Sequence, residues 1–138
     1  MPDSALSNSP IVAAYRQKTA GSEALAKRAL ASFPSGITHD SRHLEPYGVY
    51  IDRADGARKW DVDGNEYVDY FGGHGALILG HNHPDVAAAV HAAYAKGTHF
   101  GASHALEVEW AEQVLSMVPC AEKIRFTSSG TEATLMAV

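Results

Sequence analysis

The segment best suited to chemistry lies near the end of the sequence and reads Ser128-Ser129-Gly130-Thr131-Glu132. It precedes a helical pattern, and the first amides of a helix lack internal partners and favour an anion. Gly130 lets a ligand approach the backbone closely, and the hydroxyls of Ser129 and Thr131 add donors. A phosphate site fits these residues. A capping box between Ser129 and Glu132 explains them equally well without a ligand, so both interpretations stay open.

Histidine and arginine side chains are the other candidates for a site. Eight histidines are present, and His81 and His83 lie two residues apart. No cysteine or acidic partner stands at the spacing that metal sites use. We therefore predict no metal site, and expect the histidines to form hydrogen bonds in loops. Arg42 lies in a polar loop, where it could hold a substrate carboxylate through a two-pronged contact or remain a solvated surface residue.

The candidate residues must be positioned by helices and strands, and the first signals along the chain are those of helices. Asn8 or Ser9 before a proline predicts a first helix that runs to about Thr19. Ser22 is expected to cap a second helix, which the breaker at Pro34 ends. The loop that follows holds the candidate arginine, so its position depends on how this helical segment packs.

A β region follows the polar loop. Two turn signals, Asp55-Gly56 and Asp63-Gly64, separate runs of β-branched and aromatic residues, which predicts a three-stranded antiparallel meander. Helices are expected from Pro84 to about Gly97 and from about Ala105 to Val118. The alternation at Lys123–Thr127 predicts a strand that leads into the last helix.

Composition excludes several classes of protein. The 138 residues are 46% hydrophobic and 20% charged, which indicates a globular chain rather than a disordered one. The net charge of −5 argues against nucleic-acid and anionic-membrane partners, and no apolar run approaches the roughly 18 residues of a membrane span. The single cysteine, Cys120, cannot form an internal disulfide, and the first residues do not resemble a secretory signal. We therefore expect a cytoplasmic protein.

Five segments carry a family resemblance: Arg53–Gly56, Trp60–Tyr70, Leu79–Pro84, Phe100–Ala102 and Arg125–Ala133. From about residue 34 onward, their order and spacing resemble the N-terminal part of class III pyridoxal-phosphate-dependent aminotransferases. Within that family the sequence looks most like the glutamate-1-semialdehyde 2,1-aminomutase branch. Each segment alone is weak evidence for the family, whereas the five together are highly specific for it.

The resemblance implies an α/β protein of fold type I. This chain would supply an N-terminal small-domain segment, made of helices plus an antiparallel β-meander, and the start of the large α/β domain. We divide it into a helical segment at 1–33, a loop and β-meander at 34–83, and a linking helix with an incomplete large domain at 84–138. The last helix carries no stop signal before Val138, so we expect a truncated, N-terminal fragment.

The resemblance implies pyridoxal 5′-phosphate as cofactor. In the family, the turn that matches Ser129, Gly130 and Thr131 holds the cofactor phosphate, so capping and phosphate binding become two roles of one turn. No lysine here matches the family's Schiff-base lysine, which would lie beyond Val138. We therefore predict no catalytic residue in this chain and no activity for the chain alone.

Three residues are expected to contact substrate on the same grounds. Arg42 matches the arginine that binds the substrate carboxylate in the aminomutase, while His39 and His74 replace a pocket serine and a tryptophan of that branch. The resemblance implies an aminotransferase that moves an amino group between an amine or amino acid and a carbonyl compound, as a homodimer when full length. Two alternatives stay open: the intramolecular amino transfer of the aminomutase, and a non-catalytic truncated chain.

Overall fold

The computed structural model describes residues 10–138 of the chain. The helix start predicted at Asn8 or Ser9 lies outside these residues. The chain divides into two compact units, one that ends at His91 and one that runs from Ala92 to Val138. None of the helices between residues 10 and 138 is long and apolar enough to cross a membrane.

Two helices open the first unit, α1 at Pro10–Lys18 and α2 at Ala20–Ala29. The prediction that Ser22 caps the second helix is wrong. Ser22 lies inside α2, is fully buried, and accepts a hydrogen bond from the N–H of Tyr50 at its Oγ, 3.1 Å away. The serine therefore joins the helix to the segment that leads into the first strand.

The cap of α2 comes instead from a distant turn. Both carboxylate oxygens of Asp63 accept backbone N–H bonds, from Gly21 at 2.6 Å and from Ser22 at 3.0 Å. A carboxylate at a helix N-terminus satisfies unpaired amides and complements the helix dipole. A Cβ on Gly21 would lie 2.8 Å from Asp63 Oδ1, so a larger residue here would push the Asp63 side chain away from its present position.

The predicted three-stranded antiparallel meander is confirmed. Its strands are β1 at Ile51–Asp55, β2 at Arg58–Asp61 and β3 at Glu66–Val68, paired in that order. Gly56 and Gly64 have φ angles of 51° and 83°, the left-handed backbone that tight turns require. The two Asp-Gly signals thus mark the two turns of the sheet.

The buried side chains that join the helices to the meander are mostly polar. Tyr47, 9% exposed, is the buried hydrophobic residue among those described, whereas Thr19 and Asp61 are 1% and 2% exposed. The hydroxyl of Tyr15 donates to the carbonyl of Tyr47 at 2.6 Å, and the hydroxyl of Thr19 donates to the carbonyl of Tyr15 at 2.6 Å. Directional hydrogen bonds therefore fix the position of the sheet against α1 and α2.

Asp61 lies at the centre of the second turn. Its carboxylate accepts hydrogen bonds from the backbone N–H of Asp63 and of Asn65, at 3.0 and 2.8 Å, and from the Asn65 side chain. The Tyr67 hydroxyl donates to Oδ2 at 2.7 Å. The turn therefore closes around one buried carboxylate, whose lone pairs are satisfied by donors of the turn itself and of Tyr67.

Three further helices follow: α3 at Pro84–Tyr94, α4 at Ala105–Met117 and α5 at Gly130–Ala137. The strand predicted at Lys123–Thr127 is wrong, because residues 10–138 offer it no neighbouring strand with which to form a ladder. Within this stretch Phe126 stacks on Trp110 of α4, with ring centroids 3.7 Å apart. Apolar stacking rather than sheet pairing holds the segment.

Candidate functional site

Ser129 occupies the N-cap of α5 in extended backbone, as the sequence indicates. Its Oγ accepts the N–H of Glu132 at 3.2 Å, which is one half of the predicted capping box. The other half is shifted by one residue, since the Glu132 carboxylate accepts the N–H of Ser128 at 2.8 Å. Ser129 and Glu132 therefore close the turn, and the backbone N–H groups of the two residues between them take no part in it.

Those two amides belong to Gly130 and Thr131, the first two residues of α5. Neither N–H finds an acceptor in the part of the chain that the structure describes. A Cβ added at Gly130 would meet nothing within 4 Å, so the space beside this backbone is open. Two free donors at a helix start with open space before them suit a phosphate group. The Glu132 carboxylate adds negative charge nearby, and its Oε2 accepts both the Ser128 N–H at 2.8 Å and the Ser129 hydroxyl at 3.4 Å.

The three predicted substrate residues lie in the first unit. Arg42 ends a short 3-10 turn at Asp40–Arg42, and its Nη1 donates to the Thr38 hydroxyl at 2.9 Å. His39 caps the same turn, with its Nδ1 accepting the N–H of Ser41 at 3.2 Å. Both side chains are exposed, so the turn presents a cation and an imidazole to solvent.

The structure brings His39 and His74 together. Their ring centroids lie 6.5 Å apart in an edge-on arrangement, and the ring of Phe71 lies 4.3 Å from that of His74. His74 has a φ of 63°, a left-handed conformation that is strained for a residue with a Cβ and is found at functional sites. Phe71 was not among the predicted site residues, although it directly precedes the glycine-rich segment.

A shallow, open cavity of about 460 Å³ lies beside His39. It is lined by Phe33, Pro34, Ile37, Thr38, His39 and Asp40. Binding pockets are typically concave and mostly apolar with a few polar groups, which this lining provides. The cavity, the two imidazoles and Arg42 together form the candidate substrate region of the first unit.

The model of the family described as class-III aminotransferases matches residues 39–138. This chain belongs to the class III aminotransferase family. The resemblance drawn from the five sequence segments is thereby confirmed. A glutamate-1-semialdehyde 2,1-aminomutase of Rhodopirellula baltica is 42% identical over 136 residues, which is 95% of this chain and 31% of that protein.

Solved structures of transaminases share the fold. A transaminase with bound pyridoxal phosphate is 43% identical with a TM-score of 0.83, over 86% of this chain and 28% of that one. An omega-transaminase from Sphaerobacter thermophilus is 37% identical with a TM-score of 0.85, over 90% of this chain and 28% of that one. The predicted fold type I class is confirmed, and the chain spans about three tenths of the relatives it matches.

Proposed function

We propose that the protein carrying this chain is a pyridoxal-phosphate-dependent aminotransferase that moves an amino group between an amine or amino acid and a carbonyl compound. The observation that carries the proposal is the family match over residues 39–138. Transaminase structures at TM-scores of 0.83 and 0.85 support it further. In the test, purified full-length protein is supplied with the cofactor, amino donors and 2-oxo acids. We expect a new amino product, and its absence with every donor contradicts the proposal.

The turn at the start of α5 would hold the cofactor phosphate. The free N–H groups of Gly130 and Thr131 would donate to phosphate oxygens. The Thr131 hydroxyl would add a donor, and so would the Ser129 hydroxyl once it turned away from Glu132 Oε2. Bound pyridoxal phosphate supplies an electron sink for bonds at the amino carbon and carries the amino group. The part played by this chain is to anchor the phosphate end of the cofactor and so orient its ring.

Arg42 would hold the carboxylate of an amino acid donor. An exposed guanidinium at the edge of the candidate substrate region can make a bidentate contact with a carboxylate, which lysine cannot reproduce. The present partner of its Nη1 is a neutral hydroxyl, that of Thr38, so no acidic side chain has to be displaced from that nitrogen. His39 and His74 would then shape the rest of the pocket.

Substitution of Arg42 by alanine is expected to raise KM for carboxylate-bearing donors by about tenfold or more, because a charge-assisted hydrogen bond is lost. KM for amines without a carboxylate is expected to change less than twofold. Steady-state kinetics of the full-length protein with both donor classes measures this difference. Arg28→Ala, which removes an exposed arginine from the last turn of α2, is the control. An equal rise in KM for both donor classes would show that Arg42 does not bind the donor carboxylate.

The intramolecular amino transfer of the aminomutase is the second candidate function. The 42% identity to the Rhodopirellula baltica aminomutase favours it. His39 and His74 favour the transaminase instead, since by the resemblance they replace a serine and a tryptophan of the aminomutase pocket. The two reactions differ in whether an external carbonyl acceptor is needed, which isotopic labelling can decide.

By the same resemblance we propose that the full-length protein is a cytoplasmic homodimer. Several large apolar side chains are exposed, among them Ile78 at 89% and Leu135 at 72%. Such apolar surface would be covered in an assembled protein. Sedimentation of the full-length protein is expected to give twice its chain mass. A monomeric mass at micromolar concentration would contradict the dimer.

A further inference from the structure

The segment between Asp69 and His81 carries His74 and forms a loop beside the β-meander. It folds by local turns, one of which is closed by the N–H of Gly75 donating to the carbonyl of Phe71 at 3.1 Å. Turns of this kind fix the shape of the loop but not its place on the protein. The position of the His74 ring therefore depends on how the two ends of the loop are held.

Asp69 holds the first end. Its Oδ1 accepts the Lys59 ammonium at 2.9 Å and the backbone N–H of Phe71 at 3.1 Å, and its side chain is only 5% exposed. The hydrogen bonds from Lys59 and His81 hold the pKa of this carboxyl well below its usual range. Asp69 is therefore ionised at neutral pH and acts only as an acceptor.

The same carboxylate also holds the second end. Because ionised Asp69 can only accept, His81 Nε2–H donates to its Oδ2, across 2.7 Å. The backbone of His81 pairs with Gly56 in the first turn of the meander, by two hydrogen bonds of 2.8 and 3.0 Å. A Cβ on Gly80 would lie 2.8 Å from the Gly56 carbonyl, so the loop end lies directly against this turn.

The held end of the loop leads directly to the histidine pair. Phe71, whose N–H is bound by Asp69, places its ring 4.3 Å from that of His74, and His74 meets His39 edge-on. His74 keeps a left-handed backbone, with φ of 63°, which costs free energy and persists only where its surroundings enforce it. The turn from Phe71 to Gly75 encloses His74, and Asp69 holds the start of that turn through the Phe71 N–H.

We propose that Asp69 is a positioning residue, which closes the loop from Tyr70 to Gly80 by binding Lys59, Phe71 and His81 at once and thereby sets the place of His74 in the substrate region. Asp69 is not proposed to touch substrate or cofactor. The closing of the loop stands on the contacts alone, while its consequence for substrate rests on the proposed function.

Hydrogen exchange of the full-length protein, followed by mass spectrometry, tests the closure. Asp69→Ala is expected to speed amide exchange across residues 71–80 by at least tenfold, because one substitution removes the side-chain contacts at both loop ends. Peptides from α1 and α2 are expected to stay within twofold of wild type. Asp69→Asn, which keeps an oxygen for the Phe71 N–H, is expected to give an intermediate rate. Asp52→Asn, a charge change at an exposed position of β1, is the control.

A second variant, and a comparison of KM with cofactor affinity, distinguish a positioning role from a general loss of structure. His81→Ala removes only the far end of the closure and is expected to speed exchange in the same peptides. With an active enzyme, Asp69→Asn is expected to raise KM for the amino donor about fivefold or more and to leave cofactor affinity unchanged. Unchanged exchange at 71–80, or an equal rise in every peptide, would overturn the proposal. A wild-type protein without transaminase activity would refute the proposed function and leave the exchange result to decide the closure.

Discussion

Asp61→Ala is expected to lower the free energy of unfolding by about 3 kcal/mol, because it breaks a buried hydrogen-bond network. Asp61 is 2% exposed and accepts from two backbone amides, one side-chain amide and one phenol. Alanine leaves the donors of Asp63, Asn65 and Tyr67 without an acceptor. Since Asp63 also caps α2, the loss spreads from the turn to the contact between sheet and helix.

Urea denaturation of the purified protein, followed by circular dichroism, measures this loss. Asp52→Ala is the matched control, since it removes an aspartate from an exposed position of β1. We expect the control to change the free energy of unfolding by less than about 0.5 kcal/mol. A loss below about 1 kcal/mol for Asp61→Ala would show that the network contributes little.

The same variant is expected to flatten the pH dependence of stability at both extremes. Burial alone would raise the pKa of Asp61, but hydrogen bonds from Asn65 and Tyr67 outweigh it and hold the pKa below the usual value. Its stabilisation is therefore present above about pH 4 and is lost as pH falls below that. Burial and the bond to Asp61 raise the pKa of Tyr67 to about 12, so its contribution is lost as pH rises above 10. Unfolding curves of wild type and Asp61→Ala across pH measure both.

Gly130→Pro is expected to weaken pyridoxal-phosphate binding by roughly ten- to a hundredfold, since a hydrogen bond to a charged group contributes about 1.5–3 kcal/mol. Proline removes the Gly130 N–H, which has no acceptor in the described part of the chain. The helix itself should tolerate the change, because proline suits the first helical position. Ser129, with φ −154° and ψ 159°, already has the extended backbone that a following proline requires.

Ala105→Pro is the matched control for this variant. Ala105 is the first residue of α4, and the preceding His104 is also extended, with φ −130° and ψ 146°. The same substitution is thus made at a helix start outside the proposed site. Titration of the cofactor-free full-length protein is expected to give wild-type affinity for the control. Equal affinity for Gly130→Pro and wild type would show that this amide does not bind the cofactor.

Local signals in the sequence were sufficient for the helices and the meander but not for contacts between distant residues. The Asp-Gly pairs predicted the meander, because a tight turn needs only its own two residues. Ser22 was misassigned because the actual cap, Asp63, lies some forty residues away. The stretch at Lys123–Thr127 alternates like a strand, yet pairing depends on a neighbour that periodicity does not reveal.

The candidate site divides in the same way. The turn at Ser129 could be predicted, since capping residues and glycine stand within four positions of one another. The family resemblance proposed His39 and His74 as substrate residues but did not predict their contact with each other. The residues that hold the His74 loop were predicted neither from the residue pattern nor from the resemblance. Lys59, Asp69 and His81 carry no spacing signal, because their contact is created by the folding of the meander.

Isotopic labelling tests the central claim most directly. Full-length protein with pyridoxal phosphate is given a ¹⁵N-labelled amino donor and an unlabelled carbonyl acceptor, and the product amine is analysed by mass spectrometry. Amino transfer between two molecules predicts ¹⁵N in the amine derived from the acceptor, and none when the acceptor is omitted. Two results would contradict the proposed aminotransferase activity. One is an amino product that forms from a single amino aldehyde without any acceptor, and the other is the absence of product with every donor.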